Sequence, residues 1–107
     1  PCANPDLQSD FNVTAYEGKW YEIQRNSEFR FEKNSECNTA EYSLNEDGTL
    51  NDVNSQVNTE TGERSYAKAV ATCKGPQCSV KFNIFAIGDY RVVSTDYSTY
   101  SLVYSCQ

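Results

Sequence analysis

The sequence predicts an all-β protein, an antiparallel meander of about seven short strands that closes into a barrel or a sandwich. Three observations predict it. Helix signals are almost absent, whereas β-branched residues and tyrosine are plentiful, with 8 tyrosines in 107 residues. Apolar and polar residues alternate along several segments, the period of a strand with one face in a core. Turn-forming clusters separate these segments, with no long linker, internal repeat or low-complexity tract.

Taken in order, Trp20-Tyr21-Glu22-Ile23 reads as the first strand. Asn38–Leu44 is the second, with Ala40, Tyr42 and Leu44 on one face and Thr39 and Glu41 on the other. Asn45-Glu46-Asp47-Gly48 is a hairpin turn in which Asp-Gly supplies positive φ at little steric cost. Leu50–Asn58 is the third strand, and Glu60-Thr61-Gly62-Glu63 is a second turn. Ser65–Thr72 is the fourth strand. It ends in a Lys74-Gly75-Pro76-Gln77 turn bracketed by Cys73 and Cys78. Ser79–Phe85, Tyr90–Ser94 and Thr99–Ser105 complete the set. Residues 1–107 are expected to form a single domain. In it, 1–15 is an irregular extension that wraps the outside or plugs one end, and 18–106 supplies the strands. The longest connection, Arg25 to Glu36, carries Phe29 and Phe31 among charges; these either cap the core or line the mouth of a pocket.

Composition narrows the function. The net charge is −6 and there is no histidine. An acidic chain repels phosphate, so nucleic acid is not an expected partner. No run approaches the ~20 apolar residues of a membrane span. Without histidine there is no histidine-based triad, no histidine zinc site and no histidine-held haem. Cys73 and Cys78 resemble half of a metal knuckle that has no second half, so no metal is expected. Five cysteines in so short a chain point to an oxidising compartment, and Asn12-Val13-Thr14 is a glycosylation sequon; together they suggest secretion. The opening at Pro1-Cys2, with no signal peptide, reads as a processed N-terminus. An odd cysteine count implies a free thiol, an intermolecular bond or a partner outside the chain.

Alternation also assigns faces. On the fourth strand Lys68 should face water, which turns Ala67, Ala69 and Ala71 inward; three small residues in a row either leave volume unfilled or let a neighbouring element approach. On the fifth, Val80, Phe82 and Ile84 oppose Lys81 and Asn83. Tyr90 and Val92 oppose Arg91, while Ser101 and Val103 oppose the apolar outer pair Leu102 and Tyr104. Ala40 and Tyr42 face in from the second strand. The third strand is ambiguous: either Val53, Ser55 and Val57 or Asp52, Asn54 and Gln56 point inward. Trp20 is expected to close the barrel bottom against the N-terminal turn rather than to touch a ligand.

Two motifs carry a family resemblance. Gly18-Lys19-Trp20-Tyr21-Glu22-Ile23 matches the Gly-x-Trp signature that opens the first strand of lipocalins. Thr95-Asp96-Tyr97, followed by Tyr100 and Tyr104-Ser105-Cys106, matches their second signature, at the turn between strands six and seven. With Cys37-Asn38-Thr39-Ala40-Glu41-Tyr42 between them, the chain resembles the lipocalin subgroup of apolipoprotein D, the bilin-binding proteins, sandercyanin and the crustacyanins. The resemblance implies an up-and-down barrel with about seven of the usual eight strands in this chain. The third signature, an arginine near the motif tryptophan, has no counterpart, so the last strand and the C-terminal helix are expected to be absent. The subgroup pattern pairs Cys2 with Cys106. It joins Cys37 to a tail that this chain lacks, which leaves Cys37 free or bonded to another chain. Cys73 and Cys78 can pair across their turn. The matching position of an inward polar asparagine is Asn54, an anchor for a ligand carbonyl or hydroxyl.

The resemblance implies a secreted carrier or storage protein that requires no cofactor. Its small hydrophobic ligand would be a noncovalent bilin or carotenoid, or else a sterol, fatty acid or other lipid. The expected ligand contacts are Phe29, Phe31, Ala40, Tyr42, Asn54, Ala67, Ala69, Phe82, Ile84, Tyr90, Val92, Ser101 and Val103. Association with a second copy, or with a complementary C-terminal piece, would cover unpaired edges. An enzyme is not expected. A cysteine-dependent isomerase is known among lipocalin relatives, with its nucleophile near the position of Cys37. No histidine is present here to activate that thiol, and Glu36 beside it disfavours the thiolate.

Overall fold

The computed structural model describes residues 2–25 and 35–106, so the expectations for Phe29 and Phe31 fall outside the described residues. Seven strands form one antiparallel sheet in sequence order: β1 Gly18–Tyr21, β2 Ser35–Leu44, β3 Leu50–Asn58, β4 Arg64–Lys74, β5 Gln77–Lys81, β6 Ile87–Thr95 and β7 Ser101–Tyr104. Each strand pairs with its neighbour in the chain. The sheet curls into a half-barrel rather than a closed one: among the described residues no ladder joins β1 to β7.

The register settles the faces. Trp20 lies opposite Ala40, Ala40 opposite Asn54, and Asn54 opposite Ala67. One step along, Tyr42, Asp52 and Ala69 share a row. Leu50, Ala71 and Val80 form the next, followed by Cys73, Cys78 and Tyr90. Tyr42, Leu50, Ala69, Ala71, Val80 and Val92 are buried on this side, so it is the concave face. The polar set of β3, Asp52, Asn54 and Gln56, therefore points inward, while Val53, Ser55 and Val57 point out. Period two leaves no other choice once Leu50 is in the core.

The turns follow their residues. Asn45 to Thr49 closes the β2–β3 hairpin with Gly48 at φ 89°, a conformation that favours glycine. Gly75-Pro76 joins β4 to β5, and Cys73–Cys78 crosses directly opposite positions with Cα atoms 4.0 Å apart. One strand end departs from expectation. β5 stops at Lys81 because the Asn83 side chain accepts hydrogen bonds from the amides of Phe85 (2.8 Å) and Ala86 (2.9 Å), and Phe82 N–H closes the loop on Ala86 O. Phe82 and Ile84 thus sit in a loop rather than on the inner face of a strand. They are 43% and 71% exposed. β6 correspondingly starts earlier than expected, at Ile87.

The N-terminal segment seals one end. It makes a turn over Val13–Glu17 that delivers Tyr16 into the hollow of the sheet. The Tyr16 hydroxyl shares hydrogen bonds with Tyr90 on β6 (2.7 Å) and Ser101 on β7 (2.6 Å). Its ring stacks on Trp20 at 5.1 Å, and the Trp20 indole N–H donates to Tyr16 O. Trp20 thus closes the bottom with the N-terminal turn. Phe11 packs on Tyr16 and Tyr97 beside it. Cys2–Cys106 fixes the segment to the residues after β7, and Ala3 N–H donates to the Tyr104 hydroxyl. Tyr104 is therefore half-covered, whereas Leu102 remains exposed. Cys37 is free and exposed, at a bulge where it holds φ 52°.

Two outcomes test this arrangement. Tyr16→Phe removes both hydroxyl bonds and lowers the urea-unfolding free energy by about 1–3 kcal/mol, whereas Tyr16→Ala, which also leaves a cavity, costs about 3–5 kcal/mol. In the folded, unreduced protein a single thiol titrates with Ellman's reagent, and Cys37→Ser removes that signal.

Candidate functional site on the concave face

The concave face has two storeys. Around Tyr16 the rows are bulky and shut: Tyr42, Leu50, Val80 and Val92 are buried, with Tyr90 partly so. The Tyr42 and Tyr90 rings meet edge to face at 6.1 Å. Burial pushes the phenols of Tyr42 and Tyr90 well above their ordinary range and that of Tyr16 upward, so all three are neutral hydrogen-bonding groups at physiological pH. Towards the opposite end the side chains shrink. Ala40 and Asn54 are half-buried and Ala67 is exposed, which opens a bowl above the aromatic floor. Adjacent rows lie about 7 Å apart along a strand.

The expected contact residues divide between these storeys. Ala40, Asn54 and Ala67 form the open wall. Tyr42, Ala69, Tyr90 and Val92 build or back the floor; on β7, Ser101 bonds the Tyr16 hydroxyl and Val103 lies opposite Val92. The structure does not bring Phe82 and Ile84 to the wall; they lie on the β5–β6 loop, at the end away from the N-terminal turn.

Sequence reasoning did not single out Asp52. It sits where the two storeys meet, 3% exposed, between Tyr42 and Ala69. Asn54 Nδ2 donates to its Oδ2 at 3.1 Å, but its Oδ1 is buried and has no hydrogen-bond partner among the described residues. Loss of hydration raises its pKa to about 6; the bond from Asn54 opposes that rise only in part. The signal was present in the sequence: period two ties Asp52 to whichever face Asn54 takes.

Charge is sorted between the two faces. Every cation on a strand, namely Lys19, Arg64, Lys68, Lys74, Lys81 and Arg91, occupies a convex row, as do Glu36, Glu41 and Asp89. Asp52 is the charged residue on the concave rows of the strands. A depression of about 450 Å³ does lie on the convex side, lined by Lys19, Tyr21, Thr39, Val53, Arg64 and Tyr66. It is half open to solvent, and Arg64 reaches across it to Ser55 Oγ at 2.8 Å. Cys37 borders that depression, not the bowl. Among the described residues no cluster of three or more His, Cys, Asp or Glu could hold a metal ion.

An N-terminal plug, a Gly-x-Trp opening to the first strand and an up-and-down curled sheet with a small-residue wall define a lipocalin-type domain. The chain belongs to the lipocalin family: the model of the lipocalin-like domain matches residues 11–106. It is 39% identical over 113 residues to the Lazarillo protein of Schistocerca americana, matching 98% of this chain and 51% of that protein. It is 39% identical over 112 residues to apolipoprotein D of Bos taurus, covering 98% and 57% of the two chains. It is 37% identical over 105 residues to the outer membrane lipoprotein Blc of Escherichia coli, covering 89% and 59%. Among solved structures, the cockroach allergen Per a 4 superposes with a TM-score of 0.82 at 22% identity, covering 99% of this chain and 66% of that one; this likeness concerns the fold. The chain spans about half the length of the curated relatives it matches.

Asp52 sets a pH-dependent contribution to stability. Its folded pKa lies above the unfolded value of about 3.9, so the protonated carboxyl is tolerated and the ionised one is costly. The stability difference between Asp52→Asn and the parent is therefore near zero below pH ~4 and opens as pH rises to about 6. At pH 7.5 the variant is the more stable by about 1–3 kcal/mol, at ~1.4 kcal/mol per pH unit between the two affinities. Urea melts of both proteins across this range measure it.

Proposed function

We propose that this chain is the binding domain of an extracellular carrier that shelters a small hydrophobic molecule in the bowl of its half-barrel. One observation carries the reading: along the concave rows the side chains change from buried aromatics to alanines, so apolar space opens above a sealed floor. A mostly apolar hollow with a few polar groups is the usual character of a small-molecule site. Asn54 supplies an amide at the wall, and the phenol groups of Tyr42 and Tyr90 lie below it. Family membership agrees with carriage. Two disulfides and the exposed Asn12 of a glycosylation sequon agree with an oxidising, extracellular setting. No catalytic role is proposed: the chain has no histidine, and Cys37 stands on the convex side.

Within that reading we favour a flat conjugated ligand, a noncovalent bilin or carotenoid, because the partly exposed Tyr90 ring at the floor can pack against a π-system. A colourless lipid is the alternative. Protein purified without denaturation from its natural source is expected to release one apolar compound on organic extraction. A visible absorption band in the loaded protein identifies a pigment; a colourless protein that yields a sterol or acyl lipid identifies lipid carriage. Protein that releases nothing and fails to raise the fluorescence of a neutral hydrophobic dye would overturn the proposal.

A further inference from the structure

We infer that the bowl selects an apolar molecule bearing a hydrogen-bond-donating head, a primary amine foremost, and that Asp52 is the residue that receives it. The inference rests on the carrier reading but not on its pigment form, since the two carboxylates of a bilin would have to stay at the open rim, away from Asp52; it adds the chemical class of the ligand's head.

Among the described residues Asp52 is left with an unmet hydrogen bond. Buried carboxylate oxygens are normally hydrogen-bonded, because leaving one unpaired forfeits the hydration it lost. Asp52 Oδ2 has the amide of Asn54; Oδ1 has no partner among the described residues. A valine or threonine would fill a strand position facing a core at no such cost. A donor arriving with the ligand satisfies Oδ1.

The second observation is the sorting of charge. A carrier of fatty acids needs a cation or a set of donors for the ligand's carboxylate. No strand lysine or arginine lies on a concave row, and the one ionisable carboxyl there would repel it. The phenols of Tyr16 and Tyr90 are engaged with each other, and Tyr16 also with Ser101. The face is thus built for a neutral or positive head. An ammonium converts an unpaired buried anion into a charge-assisted pair, a hydroxyl gives it one hydrogen bond, and a carboxylate worsens it.

Access is consistent with this. Asp52 lies one row, about 7 Å, below the open row of Ala40, Asn54 and Ala67. Ala67 on the open row is exposed, whereas Ala69 beside Asp52 is buried, so the head reaches Oδ1 by displacing the side chains that cover it, with its apolar body against the wall.

The test uses three ligands that share one alkyl chain: laurylamine, lauryl alcohol and laurate. Each competes at pH 7.5 with Nile red, a neutral probe, on the intact protein, on Asp52→Asn and on Glu41→Gln. The last removes the same charge from the convex face. Expected is displacement by the amine at about tenfold or more lower concentration than by laurate, with the alcohol between. Asp52→Asn brings amine and laurate to within about threefold of each other, and Glu41→Gln leaves the original ratio. Laurate binding as tightly as the amine overturns the inference. So does an amine preference that survives Asp52→Asn, or one that Glu41→Gln erases equally, which would mark attraction to the acidic surface. Failure of Nile red and all three ligands to bind has a different meaning: it removes the carrier reading itself.

Discussion

The geometry of this molecule depends on one side chain, Tyr16. A curled sheet whose first and last strands do not pair has nothing in its ladders to hold the curl. Tyr16 supplies the missing tie through the interior. Its ring stacks on Trp20 of β1, its carbonyl accepts the Trp20 indole N–H, and its hydroxyl is shared with Tyr90 of β6 and Ser101 of β7. The two edges are thereby fastened to the same residue. Because Tyr16 is 2% exposed, these bonds form in a dry environment where losing one is costly.

From that plug the rest of the concave face follows. Bulky residues cluster around the ring, and the rows further along have room to open. Strand pairing then forces charge to one side or the other, since a one-residue step reverses a side chain's direction. The lysines and arginines of the strands all take the watery side. Asp52 is the exception among charged residues, and the neighbouring Asn54 only half satisfies it. A fold that tolerates such a residue at its aromatic floor, instead of a further apolar contact, has kept a cost that packing alone does not explain.

Most of the architecture was legible in the chain. Asp47-Gly48, Gly62 and Gly75-Pro76 marked the turns, and alternation on the fourth strand placed Ala69 and Ala71 inside. Alternation could not place β3, because valines and polar residues occupy its two faces and either set makes a plausible interior. Leu50, opposite Ala71, decides it, and that is a tertiary fact. The fifth strand was read too long because Phe82 and Ile84 continue the apolar rhythm of Val80. Asn83 breaks it locally, by offering its side chain to two backbone amides in place of a ladder partner. Tyr16 was missed as the plug because a lone tyrosine in an irregular stretch has no periodicity to betray it.

The bond from Cys2 to Cys106 has a topological consequence. It joins positions 104 residues apart, so all seven strands lie within one covalent loop, with the Cys73–Cys78 bridge as a small ring inside it. A protease that nicks any surface connection between those ends opens the loop without releasing a fragment. The segments on either side of a single cut stay covalently joined through the bridge and separate only when it is reduced.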